Sequence, residues 1–137
     1  ELAKITHTIV PWQDWHGFTS YIAKEIDITL QASFTESFNY VSLESMLCGK
    51  PVVGSPAVRF LPKAWQVNPD CHNELAERIK SIVRRYKRNS QLALRVAKKV
   101  AKHSNDQFRV AIESLLETEN PQVKPKRNKR KRELQTV

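Results

Sequence analysis

Between Asp27 and Ser55 the chain reads DITLQASFTESFNYVSLESMLCGKPVVGS. Ile28 to Ala32 reads as a strand, a polar loop follows, and a helix is expected from about Ser37 to Cys48. Gly49 closes that helix, and Pro51 to Gly54 reads as the next buried strand. A strand, a crossover helix and a second strand require a parallel pair with a right-handed connection. The loop that leaves the first strand and enters the helix is where α/β proteins bind phosphorylated ligands.

The flanking sequence extends the same pattern. Thr6 to Val10 alternates and then meets Pro11, which predicts a strand end. Trp15, Phe18, Ile22 and Ile26 recur at helical spacing, with Gln13 or Asp14 as the start, and Trp12 and Trp15 are expected to pack in the core. After Gly54 comes a loop with two prolines, Ser55 to Lys63, and a short last strand is expected at Ala64 to Val67. Asn73 to Arg88 should form a helix capped by Asn73, with Leu75, Ile79, Ile82 and Val83 facing inward. Gln91 to Glu117 continues as a long helical pattern with a break expected near His103-Ser104-Asn105.

The fold class expected is therefore α/β: a partial, Rossmann-like parallel sheet flanked by helices over residues 1–120. Three or four strands make a thin sheet, so strands upstream are expected to be missing, and the chain, which starts at Glu1, reads as a fragment. No apolar run approaches the ~20 residues that span a bilayer. Cys48 and Cys71 are too few for a disulfide framework, and His7, His16, His72 and His103 lack metal-ligand spacing. A cytoplasmic protein without a metal or other cofactor is expected.

The formal net charge of the 137 residues is +9. From Pro121 onward seven Lys or Arg face a single acid, Glu133, so the tail holds +6 and the body only +3. Residues 121–137 are expected to be a disordered basic tail rather than part of a basic binding face. The block at residues 124–132 suits nucleic acid, an anionic membrane surface or an import receptor, and equally a solubilising end.

Two carboxylates carry the chemistry. Glu36 stands where the helix begins, and Glu44 lies eight positions on. Eight helical residues advance roughly 12 Å, too far for a facing pair of about 5 to 9.5 Å across one glycosidic bond. The spacing better suits two contacts on one elongated ligand. Between them the free N–H groups of Phe38, Asn39 and Tyr40, with Ser37 beside them, offer positive dipole to a phosphate. Carboxylate oxygens accept well from the vicinal hydroxyls of sugars. The plainer alternative is that Glu36 favours the positive end of a helix and Glu44 is solvated. Yet Glu44 sits among Val41, Leu43, Met46 and Leu47, where a charge needs a partner or a ligand.

The residues Asp27, Ile28 to Leu30, Ser33, Glu36-Ser37-Phe38-Asn39, Glu44-Ser45, Gly49, Pro51-Val52-Val53 and Ser55 resemble the donor-binding core of the retaining nucleotide-sugar glycosyltransferases of GT-B fold. The similarity covers roughly residues 6 to 118. It implies the C-terminal half-domain of that fold. Glu36 would be the catalytic-site carboxylate at the donor sugar hydroxyls. Ser37, Phe38, Asn39 and Tyr40 would meet the sugar or diphosphate, and Glu44 would hold the ribose. Asn39 departs from the family's usual Gly.

The resemblance further implies a hexosyltransferase that keeps the anomeric configuration, uses a nucleotide-diphosphate sugar without a metal, and needs an N-terminal acceptor domain and an acceptor. The glycine-rich turn and the Arg/Lys pair of the family have no counterpart in this sequence, so the isolated chain is expected to be inactive. Arg59 and Lys63 lie in the loop after Ser55, as phosphate contacts or as solvated residues. Docking at a membrane through the tail would fit such an enzyme. The alternatives are a nucleic-acid-binding module that uses the tail, and a degenerate glycosyltransferase-like domain that only binds partners.

Overall fold

The computed structural model describes residues 7–119. In chain order they form α1 (Trp15–Glu25), β1 (Thr29–Gln31), α2 (Tyr40–Leu47), β2 (Val52–Gly54), a 3₁₀ turn (Lys63–Trp65), α3 (His72–Arg84) and α4 (Tyr86–Glu119). The class is α/β, with four helices and a small two-stranded parallel sheet among the described residues. The chain divides into one unit ending at Ala101 and a second beginning at Lys102. The expected basic tail, 121–137, lies outside the described residues.

β1 and β2 pair in parallel, with Thr29 opposite Val52, Leu30 opposite Val53 and Gln31 opposite Gly54. The ladder extends at both ends through Thr29 N–H to Pro51 O (3.0 Å) and Ser55 N–H to Gln31 O (3.1 Å). Every residue from Pro51 to Ser55 is buried, as expected of a strand covered on both faces. Gly54 carries a close approach. A Cβ there would lie 2.7 Å from Leu61 Cδ1 and 3.1 Å from Gln31 O.

The crossover from β1 to β2 is set by the ends of α2. Asn39 caps its start, its Oδ1 accepting from Ser42 N–H at 2.8 Å. At the other end Lys50 N–H reaches Ser45 O (2.9 Å) and Gly49 N–H reaches Met46 O (3.0 Å). With Gly49 at φ +75°, this is a Schellman motif, whose left-handed residue glycine adopts without steric penalty. Thr29 Oγ1 donates to Ser45 Oγ at 3.0 Å, pinning β1 to the helix.

The core gathers on β2. Val52 and Val53 meet Met46 and Leu43 of α2, Val58, Leu61, Trp65 and Val67 of the following loop, Ile82 of α3, and Ala93 and Ala97 of α4. Full burial of the Val, Leu, Ile and Met side chains contributes about 1.5–3 kcal/mol each. The two alanines are wholly buried, which lets α4 approach closely.

Several expectations are corrected. Residues 7–10 form no strand; Ile9 is exposed, and among the described residues β1 pairs only with β2. α1 forms as expected, with Asp14 as its cap accepting from Gly17 N–H at 2.7 Å. Its Ile22 is buried, whereas Trp15 is 61% exposed and Trp12 is 91% exposed, so neither tryptophan is core. The strand expected at Ala64 to Val67 is a 3₁₀ turn after Pro62, closed by Trp65 N–H to Pro62 O (2.8 Å). Only Gln66 bridges to the sheet, opposite Gly54. The turn swings Trp65 into the core instead of extending a strand.

α3 starts at His72, so Asn73 falls in the first turn and Cys71 is the cap position. Glu74 reaches back to accept from Asn68 N–H at 3.2 Å. Leu75, Ile79 and Ile82 face the core as expected, but Val83 is 56% exposed. The helix ends at Arg84 rather than Arg88. Arg85 leaves helical geometry, and Asn89 Nδ2 donates to Ile82 O at 3.1 Å, occupying a carbonyl of the last turn. α4 thus begins five residues before Gln91 and is helical through His103-Ser104-Asn105. In the second unit its residues Phe108, Val110 and Ile112 are exposed.

Candidate functional site

The segment from Ser33 to Asn39 leaves the carboxyl end of β1 and enters α2. Glu36 lies half-buried within it, and three side chains donate to a single oxygen. Ser33 Oγ lies 2.8 Å from Glu36 Oε1, Asn39 Nδ2 2.8 Å and Gln31 Nε2 3.0 Å. These donors hold the Glu36 carboxyl below the usual range, the Ser33 hydroxyl most strongly, then Asn39; partial burial opposes them and Gln31 adds to them. Glu36 is a carboxylate whose orientation is fixed through Oε1.

The donors are themselves fixed. Gln31 is the last residue of β1, and its carbonyl accepts from Ser55 N–H. Ser33 is tied through its carbonyl, which accepts from the Ser55 hydroxyl. That hydroxyl also accepts from Ala57 N–H at 3.2 Å. Buried Ser55 thus fastens the loop after β2 to the loop after β1, at the same end of the parallel pair.

Asn39 is buried and divides its amide between α2 and Glu36. Because Asn39 is the cap, the helix starts at Tyr40 rather than at Ser37. Phe38 therefore precedes the helix, and the first-turn N–H groups are those of Tyr40, Val41 and Ser42. Asn39 Oδ1 takes the Ser42 N–H; those of Tyr40 and Val41 have no intrahelical acceptor. Phe38 packs half-buried against the core, edge-on to Tyr40 with ring centres 4.8 Å apart and tilted against Phe60 at 5.5 Å. Tyr40 is 68% exposed and Ser37 is exposed, so both flank the helix entrance.

Glu44 lies further along α2 and is half-buried. Its partner is Trp15 of α1, whose Nε1–H donates to Glu44 Oε1 at 2.7 Å. Trp15 also lines a groove of about 400 Å³ with Val10, Pro11, Trp12, Gln13, Phe18 and Tyr21. A second groove of about 270 Å³ runs from Tyr21 and Ile22 to Leu30 and Val41. Neither groove is lined by Glu36 or Glu44. Among the described residues no group of three His, Cys, Asp or Glu side chains gathers to hold a metal ion.

Of the residues singled out in the sequence, Glu36 and Asn39 are joined directly, and Ser37, Phe38 and Tyr40 border them. Glu44 is joined to neither. Gln31, Ser33 and Trp15 were not among the expected site residues. The Ser33–Glu36 spacing of three is a turn signal that points to that contact. Nothing in the sequence pairs Trp15 with a residue 29 positions away. Arg59 and Lys63 are both exposed. No protein-family model matches the chain, and no curated protein and no solved structure is detectably similar to it.

Proposed function

We propose that this chain is the donor-binding part of a retaining, nucleotide-sugar-dependent hexosyltransferase, built as part of a Rossmann-like GT-B half-domain. The observation that carries the reading is the Glu36 cradle. Three donors keep this carboxylate ionised and oriented at the carboxyl end of a parallel strand, beside the start of a helix. Ligands of open α/β sheets bind at that end.

In this reading Glu36 is the catalytic-site carboxylate that accepts from the hydroxyls of the donor hexose. The Tyr40 and Val41 N–H groups, with the dipole of α2, face the diphosphate. Breaking the bond between the sugar and the diphosphate leaves negative charge on the departing oxygen. A helix N-terminus stabilises charge that develops there. The sugar bonds to an acceptor oxygen on the same face, and the acceptor hydroxyl passes its proton to the departing diphosphate oxygen. Glu44 accepts from the ribose of the nucleotide. The acceptor is bound by a domain made of residues other than these.

Saturation-transfer NMR with UDP-glucose, GDP-mannose and ADP-glucose tests the reading. At least one should receive saturation from the chain, and the signal should disappear in Glu36→Ala and Glu44→Ala. A signal that persists in both variants would remove the two carboxylates from the site. No transfer to any of the three from the intact chain would count against donor binding.

A further inference from the structure

Glu44 is held by Trp15 in a way that burial does not account for. Trp15 is largely exposed, so its indole gives up little apolar area to the fold, yet its one donor lies 2.7 Å from Glu44 Oε1. A hydrogen bond from an indole N–H to a carboxylate oxygen at that length lies at the short end of the N–H···O range. The donor is also well placed in advance. Trp15 is the first residue of α1, directly after the Asp14 cap, so its backbone is fixed by the Asp14–Gly17 hydrogen bond.

The two carboxylates of the site share a design. Glu36 is restrained through Oε1 by three donors and Glu44 through Oε1 by one, and no hydrogen bond to either Oε2 is made among the described residues. A half-buried glutamate without a fixed partner samples several rotamers, and ordering it on binding weakens affinity. A residue that orders it beforehand removes that loss.

We propose that Trp15 is the positioning residue for Glu44, turning Oε2 and the remaining lone pair of Oε1 toward the vicinal diol of a ribose. The inference rests on the nucleotide-sugar reading above. It assigns to an otherwise unexplained tryptophan the selection of ribonucleotides over nucleotides that lack the 2′ and 3′ hydroxyls. Loss of the indole N–H should cost about two- to tenfold in affinity for a ribonucleotide and nothing for the dideoxy analogue.

The test uses the full 137-residue chain with uridine, guanosine and adenosine diphosphates and the 2′,3′-dideoxy form of each. Dissociation constants are measured by NMR titration for the wild type, Trp15→Phe and Glu44→Gln. The three tryptophans, Trp12, Trp15 and Trp65, give three indole N–H signals that report the contact without any ligand. The Trp15 signal should move upfield in Glu44→Gln while the Trp65 signal stays, which checks both the pairing and the fold. The wild type should prefer the ribonucleotide, and both variants should lose that preference while binding the dideoxy form as before.

A Trp15→Phe variant that keeps the preference, or that weakens both ligands equally, overturns the positioning role and leaves donor binding standing. A wild type that binds none of the six nucleotides overturns the donor reading and this inference with it, whatever the indole signal shows. Thermal stability is recorded alongside, because a purely structural Trp15–Glu44 tie would lower it without changing the ratio of the two affinities.

Discussion

Asn39 holds the start of α2 and the Glu36 carboxylate with one amide, Oδ1 at 2.8 Å from Ser42 N and Nδ2 at 2.8 Å from Glu36 Oε1. The two functions separate by substitution. Asn39→Asp keeps an acceptor for the cap and sets a second carboxylate against Glu36, so Glu36 should titrate higher with helix α2 intact. Asn39→Ala removes both contacts and should destabilise the fold by about 1 kcal/mol through the lost cap. Urea unfolding measures the second effect, and carbon-detected NMR of the Glu36 carboxyl measures the first. An unmoved Glu36 midpoint in Asn39→Asp would show that the amide does not govern the carboxylate.

Ser33 contributes most to the ionisation of Glu36. A carboxyl whose folded value is depressed stabilises the fold above its unfolded value, about 4.3 for glutamate. That contribution fades as the pH falls through the folded value. Ser33→Ala should therefore raise the Glu36 midpoint toward the ordinary range and remove part of the stability seen above pH 4.3, with little change in strong acid. Parallel denaturation curves from pH 3 to 7 decide the matter. An equal loss at every pH would mean that the Ser33 side chain acts only through packing or through its contact with Gln31.

Neighbouring residues of α3 offer a sharp contrast in burial. Ile82 is 2% exposed within the core, and Val83 is 56% exposed. Ile82→Ala should cost about 2–5 kcal/mol, whereas Val83→Ala should stay within about 0.5 kcal/mol. Comparable losses at both positions, read from denaturant midpoints, would mean that α3 is rotated about its axis so that Val83 also packs inward.

Gly49 occupies the left-handed position that ends α2, and a Cβ there would come 3.3 Å from Ser90 Oγ. Gly49→Ala should cost about 1–2 kcal/mol from backbone geometry alone. Each 1 kcal/mol corresponds to roughly 4–8 °C of melting temperature for a domain of 60–100 residues. Gly49→Asn, better tolerated in that conformation, should recover part of the loss. A calorimetric scan in which alanine matches glycine would contradict the Schellman geometry.

The segment most legible in the sequence was the crossover itself. Apolar β2, the periodic α2 and Gly49 each state their conformation locally, so β1 and β2 fall where the pattern puts them, and α2 ends there but starts at Tyr40 rather than Ser37. Errors arose where a local signal met a tertiary contact. Spacing alone makes Trp15 a core residue, but α1 buries Ile22 and sends the indole to Glu44 instead. The run at Ala64 to Val67 has strand composition, yet Pro62 starts a turn that carries Trp65 inward. Asn73 looks like a cap, but α3 begins a residue earlier and Glu74 reaches back to Asn68. Within the site, the need of Glu44 for a partner was readable from its apolar neighbours, while the partner's identity required the fold.

Ser55 donates from its backbone to Gln31 and from its hydroxyl to Ser33, two of the three residues that hold Glu36. The cradle therefore depends on a residue that follows it in the chain by 19 positions and arrives only with β2. On the ribosome, where domains form from the N-terminal side as the chain emerges, Gln31, Ser33 and Glu36 leave the exit tunnel before Asn39 and before Ser55, which fixes the first two. The Glu36 carboxylate stays unconstrained until Ser55 is out and β2 has docked. Assembly of the site is thereby placed late, as a report that the crossover is complete.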